Sequence, residues 1–579
     1  MIHFFSYRWL GLCCLISYPL CSVAFDIKVT GLEGALKENV NAQLTSIETT
    51  PSTPPRVYRA QVDDAVRTAL QALGHFEPEI TYQWKKLRDK DSLLVANVKP
   101  GPAVVLAGTT VKVLGEGKDD RPFVWLLEHQ PKIGLPLNQG QYEDYKAALE
   151  ALSAKRGYFD AYFVKKQLGV NVRERKAYWD LIFDTGERYR FGSLTFQGNQ
   201  IDTEILNNLV PFHQGDFYDT DGIAELNQRL SETRWFNSVL VTPDLTLARQ
   251  NPDNEVPIQA LVTPRKGNLV ETGLGYATNV GPRGKISWIK PWLNSRGHSM
   301  EVGAEVSQFE QSFDTTYKLP LAKNALEHYY LFQGGFKRTD INDTESDSST
   351  MMASRYWDPH DGWLRAIHLT WKLDNFTQGQ NSQQTMLLYP GITISKTRSR
   401  GGLMPRWGDS QRYTLQWSDD RWGSDANFVA MEMQHTLIRS YENRHRFIWR
   451  SHLGWISTSD FNEVPPDLRY FAGGDRSLRG YDYESISPRD KNGDLKGGSK
   501  LLTASLEYQF KVTGKWWGAA FFDTGDVVDH VQDFRLKKGA GLGIRWESPL
   551  GPIKFDIARP VGSDAPKQWQ FYIGLGPEL

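Results

Sequence analysis

The spacing of apolar residues changes character once along this chain, near Lys266. Before that point they recur every three to four positions in three stretches, the period of a helix with one buried face. Val62, Val66, Ala69 and Leu73 make the first face, Tyr142, Tyr145, Leu149 and Leu152 the second, and Ile223, Leu226 and Leu230 the third. Each face leads into a short signature, Gly74-His75-Phe76, Gly157-Tyr158-Phe159 and Arg234-Trp235-Phe236, and a strand-like run follows. The interval of roughly 80 residues is that of a repeated small domain. The third unit reads most fully. A strand over 190–197 ends at the turn signal Gly198-Asn199, and Asp202 is placed to cap a short helix through Leu209. A second helix starts near Asp221, and strands over 239–241 and 256–263 close the unit. The order β-α-α-β-β predicts three α+β units, at 25–101, 102–187 and 188–265. Their small sheets leave edge strands to which a peptide can add.

After Lys266 the period becomes two. Val270, Thr272, Leu274 and Tyr276 alternate with Glu271, Gly273 and Gly275. Leu502, Ala504, Leu506, Tyr508 and Phe510 alternate with Thr503, Ser505, Glu507 and Gln509. Leu542, Ile544 and Trp546 alternate with Gly543, Arg545 and Glu547, and Phe571, Ile573 and Leu575 with Tyr572 and Gly574. One face is apolar and aromatic, the other polar and glycine-rich. A sandwich also alternates, but 14 of the 19 tryptophans lie beyond Lys266. Aromatic girdles at two membrane interfaces produce that bias. At roughly 20 residues per strand and connection, residues 266–579 hold about 16 antiparallel strands. In lipid every backbone group must pair internally, so the sheet closes into an all-β transmembrane barrel.

Composition sharpens this picture. A single basic residue, Arg8, precedes an apolar run from Trp9 to Leu20, and Ser22-Val23-Ala24 supplies small residues for cleavage. Residues 1–24 therefore read as a secretory signal peptide. All three cysteines fall inside it, which removes disulfide and cysteine-metal chemistry from the exported chain. A net charge of −1 gives no basic field for nucleic acid. No metalloprotease helix, phosphate loop or serine elbow is present, so the sequence points to no enzyme, no metal and no cofactor. Asp490-Lys491-Asn492-Gly493-Asp494 departs from a calcium loop in its glycine position and in Leu501 at the twelfth place. Arg188 and Arg190 read as solvated strand ends rather than as contacts to lipid headgroups.

The candidate site is a glycine-rich stretch, Phe471 to Asp482, which holds Arg479, Gly480 and Tyr481. A buried arginine needs a carboxylate. Alternation turns Glu507 inward, and Phe522 outward turns Asp523 inward on the next strand, with Gly525 two residues on. Two inward carboxylates form a receptor for the Arg479 guanidinium inside the barrel.

These residues resemble the motifs of the BamA/TamA superfamily of outer-membrane assembly barrels. Arg479-Gly480-Tyr481 is similar to the family's Arg-Gly-aromatic motif in the sixth extracellular loop. Phe522-Asp523-Thr524-Gly525 is similar to its inward strand motif, and Glu507 to the acidic residue on the strand before. Ser548-Pro549-Leu550-Gly551-Pro552 resembles its turn near the barrel end, and the leading units resemble POTRA domains. Three such units before a barrel of this size resemble the TamA branch. The resemblance implies a periplasmic location for the units and an outer-membrane barrel in a Gram-negative cell. It implies insertion or translocation of outer-membrane proteins such as autotransporters. The partners implied are unfolded outer-membrane protein clients, outer-membrane lipid and a TamB-like inner-membrane-anchored protein docking on the POTRA units. It also implies a lateral gate between the first and last strands, at Gly273, Gly275, Phe571, Ile573 and Gly574. The alternative is a conduit or tether carrying phospholipid between two membranes. A plain porin has no use for three leading domains. Pro577 cannot donate to a ladder, so the last strand is expected to be short or kinked.

Overall fold

The computed structural model describes residues 25–47, 53–86, 92–277, 281–360, 362–549, 551–563 and 566–576; the export segment and Pro577 lie outside them. The chain forms two compact units. One takes in the first two α+β modules with residues 188–193, 212–222 and 243–258 of the third, and the other holds the rest of the third and the large sheet.

Each module has the predicted order, the third with a short extra helix between its last two strands. The first comprises β1 (Phe25–Thr30), α1 (Gly34–Thr45), α2 (Pro55–Gln71), β2 (Glu79–Lys86) and β3 (Ser92–Lys99). The second comprises β4 (Val105–Leu114), α3 (Arg121–Glu128), α4 (Gln139–Arg156), β5 (Tyr162–Asn171) and β6 (Lys176–Asp184). The third comprises β7 (Arg190–Gln197), α5 (Thr203–Asn207), α6 (Thr220–Glu232), β8 (Phe236–Pro243), α7 (Leu245–Ala248) and β9 (Glu255–Pro264). In all three sheets the last strand lies in the middle, in the orders β1-β3-β2, β4-β6-β5 and β7-β9-β8. That strand runs parallel to the first strand and antiparallel to the second in the two leading modules.

The helical faces read from the sequence supply the cores. Val62, Val66 and Ala69 of α2 pack with Leu94, Ala96 and Val98 of β3. Tyr142, Tyr145 and Leu149 of α4 pack with Trp179, Leu181 and Phe183 of β6. The repeated signature has a backbone cause. Gly74, Gly157 and Arg234 all have left-handed φ, +88°, +82° and +60°, which stops each helix and turns the chain toward the next strand. At Gly157 a Cβ would also come within 2.8 Å of Tyr218 Cβ.

Two local readings are corrected. Asp202 occupies the N-cap position of α5, but its side chain makes no cap bond and the helix stops at Asn207. Its backbone N–H instead donates to Ser295 O at 2.8 Å. Arg188 is not a solvated end, whereas Arg190 stays exposed at the start of β7. Arg188 is stacked 4.6 Å from the Phe217 ring and donates to Arg156 O, and Arg190 lies 4.0 Å from the same ring. Arg156 bridges Asp120 at 2.9 Å and Asp219 at 3.1 Å, so a web of guanidinium contacts fixes this joint.

Beyond Lys266 sixteen strands follow one another in strict sequence order, each antiparallel to the next. They form a transmembrane barrel whose surface inverts that of a water-soluble domain. Leu506, Phe522, Leu542, Ile544 and Phe571 are exposed on the outside, whereas Thr503, Ser505, Glu507, Gln509 and Asp523 are buried within. Outward apolar and inward polar residues suit a wall with lipid outside.

Candidate functional site: the lumen loop and the strand seam

Between the eleventh barrel strand, His445–Thr458, and the twelfth, Lys500–Thr513, the chain makes a long loop. Backbone bridges Tyr470–Gly498, Ala472–Ile486 and Arg489–Leu495 fold this loop upon itself. Ala472, Leu478, Tyr481 and Ile486 pack as a small apolar core against Leu501 and Val527 of the wall. Gly473 and Gly480 take φ of +112° and +102°, and a Cβ would clash at both. A Cβ on Gly480 would lie 2.6 Å from the Arg559 carbonyl carbon.

This scaffold delivers Arg479 into the wall, where it is 2% exposed. Its Nε and Nη2 donate to the two oxygens of Asp523 at 2.8 and 3.0 Å, a planar fork on a carboxylate. Nη1 donates to Glu507 Oε2 at 2.8 Å and to Asp556 Oδ2 at 3.2 Å. Asp523 also accepts the Arg479 backbone N–H at 3.0 Å and the Ser505 hydroxyl at 2.6 Å. The Phe521 ring covers the guanidinium, 3.3 Å from Cζ to centroid. On the other side Gly539 lets the wall approach, since a Cβ there would stand 1.9 Å from Arg479 O. Gly525 is buried below Asp523, with Leu502 O 2.5 Å from the place of a Cβ.

A second arginine completes the cluster. Arg545, on the fourteenth strand Lys537–Ser548, donates from Nη2 to Glu507 Oε1 at 2.7 Å and holds both oxygens of Asp556. Arg450 adds a third cation 4.0 Å from Glu507. Three carboxylates thus face three guanidinium groups. A buried network of this kind contributes little net stability after desolvation. Sequence reasoning named Glu507 and Asp523 and missed the roles of Arg545 and Asp556. The signal was available, because Arg545 lies on the polar face and Phe555 and Ile557 turn Asp556 inward.

The loop is also fastened to the last strand. Tyr572 Oη accepts the Gly480 N–H at 2.9 Å and donates to Tyr481 O at 3.0 Å. Gln570 and Gln568 donate to the two oxygens of Asp482.

The first barrel strand, Leu269–Ala277, and the last, Gln570–Leu575, are the two ends of the sheet. They come close to each other, yet among the described residues no register pairs them. The last strand pairs with its other neighbour over six residues, Ile553–Leu575 to Ala558–Gln570. Phe571 and Ile573 point outward and are exposed, and a Cβ on Gly574 would meet open space. Gly273 and Gly275 sit on the first strand opposite Lys285 and Arg283. At the turn, Ser548 pairs with Gly551 across a tight hairpin, and Ser548 Oγ donates to Gly551 O at 2.6 Å. Pro549 is exposed, Pro552 is buried, and Leu550 lies outside the described residues. The Asp490 carboxylate accepts its own loop's N–H groups from Asn492 and Asp494, at 2.7 and 3.0 Å, as a polar turn.

Comparison with known proteins agrees with this architecture. Residues 266–578 match the model of the Omp85 superfamily domain. Residues 26–100 match a POTRA domain described as TamA domain 1, and 189–265 match the POTRA model described as a surface antigen variable number repeat. The outer membrane protein assembly factor BamA of Nitratidesulfovibrio vulgaris is 23% identical over 421 residues, 68% of this chain and 52% of that protein. The chain thus spans about half the length of this curated relative. BamA of Neisseria meningitidis serogroup B is 28% identical over 151 residues, 19% of each chain. The crystal structure of Haemophilus ducreyi BamA lacking POTRA domains 1–3 superposes with a TM-score of 0.68 at 16% identity, covering 81% of this chain and 99% of that one.

Proposed function

Because this chain belongs to the Omp85 superfamily, with its barrel in the outer membrane and its POTRA modules in the periplasm, we propose that it inserts or translocates outer-membrane proteins at the seam of its barrel. The observation that carries this reading is the seam itself. Among the described residues the two strand edges come close with no register joining them, and a weakly joined edge is a template for an incoming strand. A client hairpin adding there gains backbone pairs one at a time, and client folding supplies the driving force.

The TamA branch is the finer assignment. Three POTRA modules and the match of the first to a TamA domain support it. On this reading a TamB-like protein anchored in the inner membrane docks on the modules, and β2, an edge strand in the first sheet, is the place of addition. Ile80 and Tyr82 of β2 pack on the module core, so the outward backbone rather than these side chains is the docking surface. The loop held across the lumen by Arg479 and Asp467 favours the seam over the lumen as the path for cargo.

The test is reconstitution. Liposomes carrying the purified chain, given an unfolded outer-membrane barrel, should accumulate protease-protected, folded client above empty liposomes. Transfer of labelled phospholipid without client folding would overturn the reading in favour of a lipid conduit.

A further inference from the structure

We propose that Tyr572 latches the last barrel strand to the lumen loop, so that the seam opens by movement of the first strand while the last stays in place; this rests on the seam as the working site. The two strands are held in unequal ways. Over 269–275 the first strand buries no side chain, and Val270 and Leu274 are 64% and 96% exposed. Among the described residues its backbone pairs on one side, with the second strand, Gly281–Lys290.

The last strand is short, but it has a second attachment that the first lacks among the described residues. Tyr572 is 5% exposed and packs with Phe521 and Ala558. Its hydroxyl both accepts from Gly480 N and donates to Tyr481 O, using donor and acceptor on the two residues that follow Arg479. Asp482, next in the chain, takes Gln568 and Gln570. Phe521, which covers the Arg479 guanidinium, shares one buried cluster with Ala558 and Tyr572, so lock and latch meet in one apolar contact. Pulling the last strand outward breaks these loop bonds together with the ladder. Moving the first strand breaks none of them. The last strand is therefore the fixed leaf and Tyr572 a positioning residue.

Tyr572→Phe removes only the hydroxyl and keeps the ring against Phe521 and Ala558. Hydrogen exchange of the purified barrel in nanodiscs reads the result without any client, and so decides on the latch even if the chain inserts no protein. Amides over 570–575 and the Gly480 amide should exchange about tenfold faster than in the unaltered chain, the scale of a lost hydrogen bond, with the first strand unchanged. Equal exchange over 570–575 overturns the latch. A second arm addresses which leaf moves. Asp482→Cys and Gln570→Cys are joined by a short bis-maleimide, with the same variant left untreated as reference. Client insertion should survive the cross-link, and its loss on cross-linking alone would show that the last strand must leave the loop.

Discussion

Asp467, at the base of the lumen loop, is ion-paired with Lys372 on the wall opposite Arg479. Lys372 lies on the seventh barrel strand, Leu364–Gln378, 4% exposed, and its Nζ is also 3.5 Å from the fully buried Asp374. Nearby, Arg469 stacks between Phe461 and Phe376, and Gln378 donates to Leu495 O. The loop is thus held from both sides of the lumen, by Arg479 at its tip and Asp467 at its base.

Lys372→Met should loosen the base and leave the tip in place. It strands Asp374, which keeps the Ser346 hydroxyl at 2.7 Å. Removing one partner of a buried pair costs about 3 kcal/mol, and the half-exposed Asp467 brings the effect below this. The barrel should melt at lower temperature in the gel-shift assay for folded barrels. Protease access should rise over 461–470 and stay unchanged over 473–482.

Arg479→Ala should have the larger effect, because it leaves Asp523 without a cation on either oxygen. About 3 to 5 kcal/mol is the scale of such a loss, lowered where the lumen admits water. Arg479→Lys should restore little, since a point charge cannot reach Nε, Nη1 and Nη2 partners together. Arg545 holds Glu507 and Asp556 from the other side, so the Arg479→Ala and Arg545→Ala effects should not add. A double-mutant cycle on melting should give a coupling of about 1 kcal/mol or more. Simple additivity would show that the two arginines act separately.

These two locks differ in how far the sequence discloses them. Period-two alternation assigns each strand residue to a face, so Glu507 and Asp523 are legible as inward carboxylates, and the glycine-rich stretch is legible as a folded loop. Alternation does not say which inward residues are neighbours. Asp556 meets Arg479 across three strands, and Tyr572 meets Gly480 across a gap of 92 residues. Lys372 and Asp467 meet across the lumen, a distance set by barrel closure and loop path. The module order and buried helix faces were legible because they are local. The missing Asp202 cap was not, because the third module's contact with the Ser295 turn decides what that backbone does.

The first module should carry an acid-sensitive contact. Asp63 on α2 accepts Arg67 Nε at 2.8 Å and the Tyr82 hydroxyl of β2 at 2.9 Å. Burial alone would raise this carboxyl, but the hydrogen bonds from Arg67 and Tyr82 and the charges of Arg67 and Arg59 outweigh it and hold it below the ordinary value. A depressed folded pKa gives stability that is present above the unfolded value and is lost as pH falls through the folded one. Hydrogen exchange over 58–86 should therefore quicken as pH is lowered below about 4, after correction for intrinsic rates. Asp63→Asn should flatten that dependence, and an unchanged slope would place the acid sensitivity elsewhere.

Trp235 seats the third module on a barrel turn. Trp235, 3% exposed, follows the left-handed Arg234 and donates from Nε1 to Gly297 O at 3.0 Å. Gly297 lies in the turn between the second and third barrel strands, with φ +73°. A Cβ there would stand 2.2 Å from Trp235 Cζ2, a ring atom with no room to retreat because the indole is enclosed. The same turn receives the Asp202 N–H at Ser295 O, and Trp292 Nε1 donates to Arg265 O at 2.9 Å. Gly297→Ala should therefore displace the indole while leaving the barrel ladder and the lumen lock intact. Trp235→Phe keeps an aromatic ring and loses the donor, and should be milder. A cysteine pair at Asp202 and Ser295, joined by a short cross-linker, reports on the seat directly. Its yield should fall in Gly297→Ala, with no change in barrel melting. If yield holds while melting falls, Gly297 serves the barrel turn and the module is seated by other contacts.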